Sequence, residues 1–242
     1  MMDPSALRNA AARVRSGIGA ACARAGRDPS EVLLVAVTKT MPVAVVQAAR
    51  EAGLEDLAEN YAKDLAEKSA AVPARWHFVG KVQAGTARLI ADHADVIHSA
   101  EPGRALERAA GRLARAGRRI PCLLQVDFTR ARQGVPPEEA APCAASLMGT
   151  EGIHMVGLMT IPPWADDPEA SRPFFIRLRE LRDAIATRLP EVRELSMGMS
   201  GDYPVAVEEG ATMVRIGTAL FGSRPPARRS PRREGPGRGR LG

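Results

Sequence analysis

Short apolar runs alternate with longer amphipathic stretches along most of the chain, as in the segment ARAGRDPSEVLLVAV. Glycines that suit the left-handed position at the end of a helix separate the two at Gly26, Gly53, Gly117 and Gly210. The apolar runs predict strands near residues 32–38, 55–59, 76–80, 95–99, 120–127, 153–159, 193–197 and 212–216. The amphipathic stretches predict a first helix that closes at Gly26 and later helices near 42–52, 61–71, 84–92, 102–116, 136–148, 168–188 and 203–209.

This alternation of strands and helices is typical of a barrel. Eight βα units in a chain of 242 residues predict a single α/β domain, a (βα)8 barrel of the TIM type with an extra N-terminal helix. An open, doubly wound sheet is the alternative. We expect the barrel to occupy residues 1–223. Residues 224–242 are rich in Pro, Gly and Arg and have almost nothing apolar to bury, which predicts a disordered basic tail.

The net charge of +6 lies in the tail rather than in the predicted barrel. The tail contains seven arginines and one glutamate, so the rest of the chain keeps 27 of the 34 basic and 27 of the 28 acidic side chains. The barrel is therefore neutral by count, and a nucleic-acid-binding function rests on the tail alone. Contact of the tail with nucleic acid or acidic lipid is the weaker alternative to a solvated extension.

The cysteines and the hydropathy favour a cytoplasmic protein that does not enter a membrane. Cys22, Cys122 and Cys143 are widely spaced and form neither a disulfide framework nor a metal-binding pattern, and the four histidines lack ligand spacing as well. No apolar run reaches the length needed to span a bilayer. We therefore expect the reducing environment of the cytoplasm, and no metal.

Lysine is rare in this chain, and one lysine stands out by its position. Of the 34 basic residues only four are lysines. Lys63 and Lys68 lie in the polar segment NYAKDLAEKS, which is typical of a solvated helix face, whereas Lys39 closely follows the apolar run 32–37. A primary amine can form a Schiff base with an aldehyde and a guanidinium cannot. Lys39 is thus a candidate aldehyde-binding residue, and a lysine that extends to solvent from a strand end is the alternative.

In a barrel of this type the functional residues gather at the carboxyl ends of the strands. These ends carry Lys39, Asn60, His77, Ser200 and the RIGT segment at 215–218. A Gly-Thr turn that opens a short helical turn offers backbone N–H groups and a hydroxyl to a phosphate. An aldehyde-binding lysine and a phosphate site at one barrel mouth together predict pyridoxal 5′-phosphate (PLP) as the cofactor.

Five segments carry a resemblance to a known family. They are VAVTKTMP, AENY, WHFVGKVQ, GLMTIPP and LSMGMSGDYPVAVEEGATMVRIGTALFG, and they span residues 32–222. With these segments the chain resembles the pyridoxal phosphate homeostasis protein family, whose fold is similar to the N-terminal barrel domain of alanine racemase. The last segment is the most specific of the five.

The resemblance implies roles for eight residues. Lys39 corresponds to the Schiff-base lysine, and Arg215 corresponds to the arginine that faces the pyridine nitrogen. The positions that correspond to phosphate ligands are Ser200, Gly217 and Thr218, and those that correspond to the pocket lining are Asn60, His77 and Met197. The structural alternatives are a helix cap for Asn60, a satisfied core histidine for His77, core packing for Met197 and a surface ion pair for Arg215.

The chain departs from the family pattern at three places. Leu57 and Ala58 stand before Glu-Asn where the family usually has Phe-Gly, and residues 81–86 read KVQAGT where Pro-Leu-Gln-Ser-Asn-Lys is usual. Gly201 stands where the family has an acidic residue. The lysine, the arginine and the phosphate turn are all retained.

The resemblance implies a monomeric protein that carries, buffers or delivers PLP, with apo-forms of PLP enzymes as candidate recipients. A protonated arginine at the ring nitrogen weakens the ring as an electron sink, which disfavours chemistry through a long-lived carbanion. Racemisation also needs a second base, which in alanine racemase comes from a second domain, whereas here the tail follows the barrel. The alternative is a PLP-dependent amino-acid racemase or a related amino-acid enzyme that uses Tyr61, Tyr203 or His77 as the second acid or base.

Overall fold

The computed structural model describes residues 3–222, which form a closed barrel of parallel strands. The strands are β1 (Leu33–Val37), β2 (Asp56–Glu59), β3 (Arg75–Phe78), β4 (Val96–Ala100), β5 (Ile120–Gln125), β6 (Ile153–Met159), β7 (Glu194–Ser196) and β8 (Met213–Ile216). The order of strands around the barrel follows the chain, and β8 pairs with β1 to close it.

Helices surround the barrel and connect its strands. Within residues 3–222 they are α1 (Pro4–Ala25), α2 (Val43–Glu51), α3 (Ala62–Ala71), α4 (Ala87–His93), α5 (Arg104–Arg115), α6 (Ala140–Met148), α7 (Arg172–Ala186), α8 (Tyr203–Glu208) and α9 (Thr218–Phe221). α1 precedes the first strand and packs against α2, α8 and α9, so it covers the side of the barrel where the first and last units meet.

Local signals in the sequence account for the bounds of the first helix. The Asp3 side chain accepts a hydrogen bond of 3.0 Å from the backbone N–H of Ser5, and Pro4 occupies the first turn, where its missing N–H costs nothing. The helix ends at Gly26, whose φ of 65° is the left-handed conformation that glycine adopts without strain.

The core has two layers, one inside the barrel and one between the barrel and the helices. The inner layer consists of Val35, Val37, Ala58, Val96, Leu123, Met159 and Met213. Because alternate residues of a strand point to opposite faces, Ala36 belongs to the outer layer. Arg215 pairs with Val35 across β8 and β1, and paired residues share a face of the sheet, so the Arg215 side chain points into the barrel.

The predicted (βα)8 barrel and its extra N-terminal helix are confirmed, and the doubly wound alternative is wrong because the sheet closes on itself. Two predicted helices begin later than expected, since short 3-10 turns at Pro137–Glu139 and Pro168–Ser171 precede α6 and α7. No helix in the described part of the chain is both long and apolar enough to cross a bilayer. The predicted tail at 224–242 lies outside the described residues.

Candidate functional site

A cavity of about 560 Å³ lies at the carboxyl end of the barrel. Six of the eight predicted site residues line it: Lys39, Asn60, Ser200, Arg215, Gly217 and Thr218. They come from segments that follow β1, β2 and β7 and from the end of β8, and they are up to 179 positions apart along the chain. The structure therefore brings together side chains that the sequence separates.

The backbone on either side of Lys39 is tightly held. The Thr38 N–H donates to the Ala58 carbonyl at 2.9 Å, and the Thr38 hydroxyl donates to Glu59 Oε1 at 2.7 Å. Thr40 has a φ of 70°, which a β-branched residue adopts only when its surroundings impose it. Lys39 is half-buried between these two residues.

A buried ion pair lies directly behind Lys39. The Lys68 ammonium group contacts Glu59 Oε1 and also donates to the Thr38 carbonyl at 2.9 Å, so it binds the peptide group that joins Thr38 to Lys39. Burial raises the pKa of Glu59, and the hydrogen bonds from Lys68 and Thr38 oppose that rise. The interpretation of Lys68 as part of a solvated helix face is wrong, because α3 turns this side chain toward the strand ends, where it is 5% exposed.

Asn60 follows the ion pair and faces the cavity. Its side-chain oxygen Oδ1 is buried and has no hydrogen-bond partner among the described residues. A buried amide oxygen without a donor is costly, and such an atom at a cavity wall fits a site that a polar ligand completes. Asn60 is not the helix cap that the sequence allowed, because Tyr61 occupies the cap position of α3.

The segment after β7 meets the turn after β8 at the Ser200 side chain. Ser200 Oγ accepts hydrogen bonds from the N–H groups of Gly217, at 3.2 Å, and Ala219, at 3.1 Å. Thr218 begins α9 and also lines the cavity. The Ser200 and Thr218 hydroxyls therefore lie at one end of the cavity. Because Ser200 Oγ accepts from both N–H groups, its own hydrogen remains available to donate to a phosphate placed there.

Arg215 is buried beneath the cavity and is not in a surface ion pair. It is 4% exposed, and it donates to Ser196 Oγ at 2.6 Å and to the Thr160 carbonyl at 2.9 Å. Burial lowers the pKa of its guanidinium to about 10, and the nearby Asp202 carboxylate opposes this shift. Arg215 is thus a cation and a hydrogen-bond donor at neutral pH.

His77 and Met197 do not line the cavity. His77 is fully buried, with Nε2 at 2.9 Å from Asp56 Oδ1 and Nδ1 at 2.8 Å from His98 Nε2. Met197 is fully buried in the layer between the barrel and the helices. Their surroundings match the alternatives of a satisfied core histidine and core packing.

The two tyrosines also lie away from the cavity lining. The Tyr203 hydroxyl packs against α1, where a Cβ built on Gly17 would lie 2.1 Å from it. Tyr61 is 57% exposed. The ionisable residues of the described lining are Lys39, Asp166, Asp202 and Arg215.

The loop that follows β6 lines the cavity but was not among the predicted site segments. Ile161, Pro163, Trp164 and Asp166 line the cavity, and Trp164 is 78% exposed at its edge. The segment GLMTIPP, which leads into this loop, was part of the resemblance, and a tryptophan directly after it was the available signal. Gly201, a departure from the family pattern, lines the same cavity, and a Cβ there would meet no atom within 4 Å.

Proteins of known family match this chain over most of its length. A family model described as the alanine racemase N-terminal domain matches residues 13–225. The pyridoxal phosphate homeostasis protein of Pseudomonas aeruginosa is 38% identical over 218 residues, which cover 88% of this chain and 94% of that protein. The protein of the same name from Escherichia coli K12 is 34% identical over 224 residues, with coverages of 88% and 94%.

Solved structures are similar as well. PipY of Synechococcus elongatus, in a structure with PLP bound, has a TM-score of 0.79 and 31% identity over 89% of this chain and 100% of PipY. D-threonine aldolase of Filomicrobium marinum shares the fold, with a TM-score of 0.72 at 15% identity over 91% of this chain and 61% of that enzyme. This chain therefore belongs to the alanine racemase N-terminal domain family and, within it, to the pyridoxal phosphate homeostasis proteins.

Proposed function

We propose that this protein binds PLP at the carboxyl end of the barrel, with Lys39 as the residue that holds it, and that it serves PLP homeostasis by carrying, buffering or delivering the cofactor. One observation carries the proposal. A lysine, a buried arginine and a pair of hydroxyl donors, from three different parts of the chain, line one cavity. These groups match the aldehyde, the ring nitrogen and the phosphate of one molecule.

Each group of the chain has a defined task in this proposal. PLP supplies an aldehyde that reacts with primary amines, and Lys39 provides the amine for a Schiff base. Arg215 donates to the ring nitrogen and, because it stays protonated, leaves that nitrogen without a proton. The hydroxyls of Ser200 and Thr218 and the turn at Gly217 would hold the phosphate, and Asn60 Oδ1, which has no partner among the described residues, would accept a hydrogen bond at the cavity wall.

The lining of the cavity favours a carrier over an amino-acid enzyme. Racemisation needs a second acid or base opposite the lysine, and a positioned one contributes about 100- to 10,000-fold to the rate. Tyr203 and His77 point elsewhere, and Tyr61 lies outside the lining. Each oxygen of Asp202 accepts one hydrogen bond, Oδ1 from the Met199 N–H at 2.6 Å and Oδ2 from the Ser171 hydroxyl at 2.9 Å, which holds this carboxylate in place. Asp166, the other carboxylate of the described lining, is exposed on the loop after β6.

The proposal also names the proteins that receive PLP and the oligomeric state of this protein. A carrier that releases its cargo must meet apo-forms of PLP enzymes, and we propose that it does so as a monomer in the cytoplasm. Transfer is tested by mixing the loaded protein with an apo-enzyme and a PLP scavenger. Activity regained at a rate above that of free release supports direct delivery, and an equal rate supports buffering alone.

Borohydride reduction tests the binding mode. Purified protein with PLP should absorb as a Schiff base, and reduction should attach the cofactor to the peptide that contains Lys39. Lys39→Ala should abolish attachment, whereas Lys63→Ala, at an exposed position of α3, should not change it. Attachment to Lys63, Lys68 or Lys81, or attachment that survives in Lys39→Ala, would contradict the proposal.

A further inference from the structure

A row of polar side chains, all buried except the partly exposed Asp56, crosses the inside of the barrel beneath the cavity. Asp56 Oδ1 lies 2.9 Å from His77 Nε2, His77 Nδ1 lies 2.8 Å from His98 Nε2, and His98 Nδ1 lies 2.7 Å from Ser196 Oγ. Ser196 Oγ then accepts from Arg215 at 2.6 Å. These residues belong to β2, β3, β4, β7 and β8, so the bond between His98 and Ser196 spans the interior from one wall to the other.

The carboxylate end of this row determines the direction of its hydrogen bonds when both imidazoles are neutral. At the other end a guanidinium can only donate, so Ser196 Oγ accepts from Arg215 and its own hydroxyl hydrogen is available to His98 Nδ1. A carboxylate can only accept, so His77 carries a hydrogen on Nε2 and presents a bare Nδ1 to His98. His98 then donates from Nε2.

Burial supports this arrangement. His77 and His98 are both fully buried, and burial lowers the pKa of His77 and lowers that of His98 well below its usual range. Each imidazole is therefore neutral at neutral pH, with one donor and one acceptor nitrogen. With both rings in the Nε2–H form, each of the four ring nitrogens has a hydrogen-bond partner. None of them is then left unpaired inside the barrel, where an unpaired polar atom would lower stability.

We infer that Asp56, His77, His98 and Ser196 are positioning residues of the site, which form a one-way hydrogen-bond chain that holds Arg215 and directs its remaining N–H groups to the cofactor ring. This inference rests on the proposed role of Arg215. The acceptors contacted by Arg215 in the chain and at Thr160 are neutral, so Asp56, at the far end, is the carboxylate that polarises the chain toward the guanidinium. The two histidines thus have a role that cavity lining alone does not show.

Nitrogen-15 NMR of the histidine rings tests the chain itself, without any cofactor. The protein has four histidines, and the variants His93→Gln and His154→Gln assign the two outside the chain. We expect His77 and His98 both to carry their hydrogen on Nε2 at neutral pH. A hydrogen on Nδ1 of either ring, or on both nitrogens of one ring, would overturn the inference.

Ligand binding to Ser196→Ala tests the link to the cofactor. The ligands are PLP and its 1-deaza analogue, in which a C–H replaces the ring nitrogen. A freed Arg215 should weaken PLP binding about tenfold, the size expected for one hydrogen bond to a charged group, and leave the affinity of the analogue within about twofold. Ser99→Ala is the matched control, since Ser99 is a buried serine of β4 whose hydroxyl bonds to the Gly80 carbonyl outside the chain.

The outcomes separate this inference from the proposed function. The positioning role would be overturned if Ser196→Ala lost the same affinity for PLP and for the analogue, if it lost none for either, or if Ser99→Ala lost as much. In each case PLP binding by the unaltered protein would still stand. Failure of the unaltered protein to bind PLP would instead refute the proposed function. The ring NMR would then still decide whether the chain exists.

Discussion

Substitution of Lys68 by Met should destabilise the barrel strongly, because it leaves the Glu59 carboxylate without its ion-pair partner. The Glu59 side chain is fully buried and that of Lys68 is 5% exposed, so solvent cannot replace the lost ammonium group. Met matches the length of the lysine stem and keeps its packing, so the change removes mainly the charge and the hydrogen bonds to Glu59 and to the Thr38 carbonyl.

The expected loss follows from this burial. Breaking a buried pair by removing one partner costs about 3–5 kcal/mol. That is a large part of the total stability of a typical domain, about 5–15 kcal/mol. Adding Glu59→Gln to Lys68→Met removes the unpaired charge while an amide oxygen still accepts from the Thr38 hydroxyl. The double variant should therefore be more stable than Lys68→Met alone.

The loss should also depend on pH. Burial already raises the pKa of Glu59, and Lys68 is the first of the contacts that oppose the rise, so its removal raises that pKa further. A carboxyl with a raised folded-state pKa is protonated in the folded protein at pH values where it is ionised in the unfolded chain. It therefore lowers stability as the pH rises above its unfolded pKa of about 4.3. The difference between Lys68→Met and the unaltered protein should therefore grow as the pH rises above about 4.3, and level off once Glu59 is ionised in the folded variant.

Urea unfolding without PLP, followed by circular dichroism and fluorescence, measures the effect, and the absence of ligand removes its contribution to stability. Lys63→Met is the matched control, because Lys63 lies on the same helix and is exposed. It should change the free energy of unfolding by no more than about 0.5 kcal/mol. A Lys68→Met variant as stable as this control, or a loss that does not change with pH, would refute the reasoning.

Two further predictions concern the cofactor. Thr218→Val removes one hydroxyl from the proposed phosphate end of the cavity. Binding of PLP should therefore weaken by about 1.5–3 kcal/mol, while binding of unphosphorylated pyridoxal should not change. An equal loss for both ligands would indicate general damage to the cavity. Alanine and serine incubated with the PLP-loaded protein in deuterated water should show little α-proton exchange by NMR, since Tyr203 and His77 point away from the cavity. Fast exchange with inversion, abolished by Tyr61→Phe or Tyr203→Phe, would restore the racemase.

The loop after β6 forms one edge of the cavity, and its side chains there are largely exposed. Trp164 stands 78% exposed at the edge of the cavity, and a Cβ at Gly201, also in the lining, would meet no atom within 4 Å. An exposed edge agrees with the proposed release of PLP. It contrasts with sites that exclude water in order to perform chemistry.

The barrel was predictable because burial leaves a periodic pattern. Strands that are covered on both faces are mostly short apolar runs, such as β1 and β5, and helices that are covered on one side are amphipathic stretches, so the repeated pair indicates the element order. The position of Lys39 was predictable for a related reason. In a chain that uses arginine for most positive charges, an amine just beyond a buried strand indicates a chemical requirement.

The sequence by itself thus determined the order of the elements, the strand ends at which a site would form, and the lysine, arginine and glycine-threonine turn that belong to it. Only the tertiary structure decided that Lys68 turns inward to Glu59, that Tyr203 packs on α1, and that His77 joins a hydrogen-bond chain to Arg215. The physical reason is that periodicity encodes how far a side chain is removed from water but not which distant group it meets. That second choice depends on the register and closure of the barrel, which bring β4 and β7 to opposite walls within hydrogen-bonding reach.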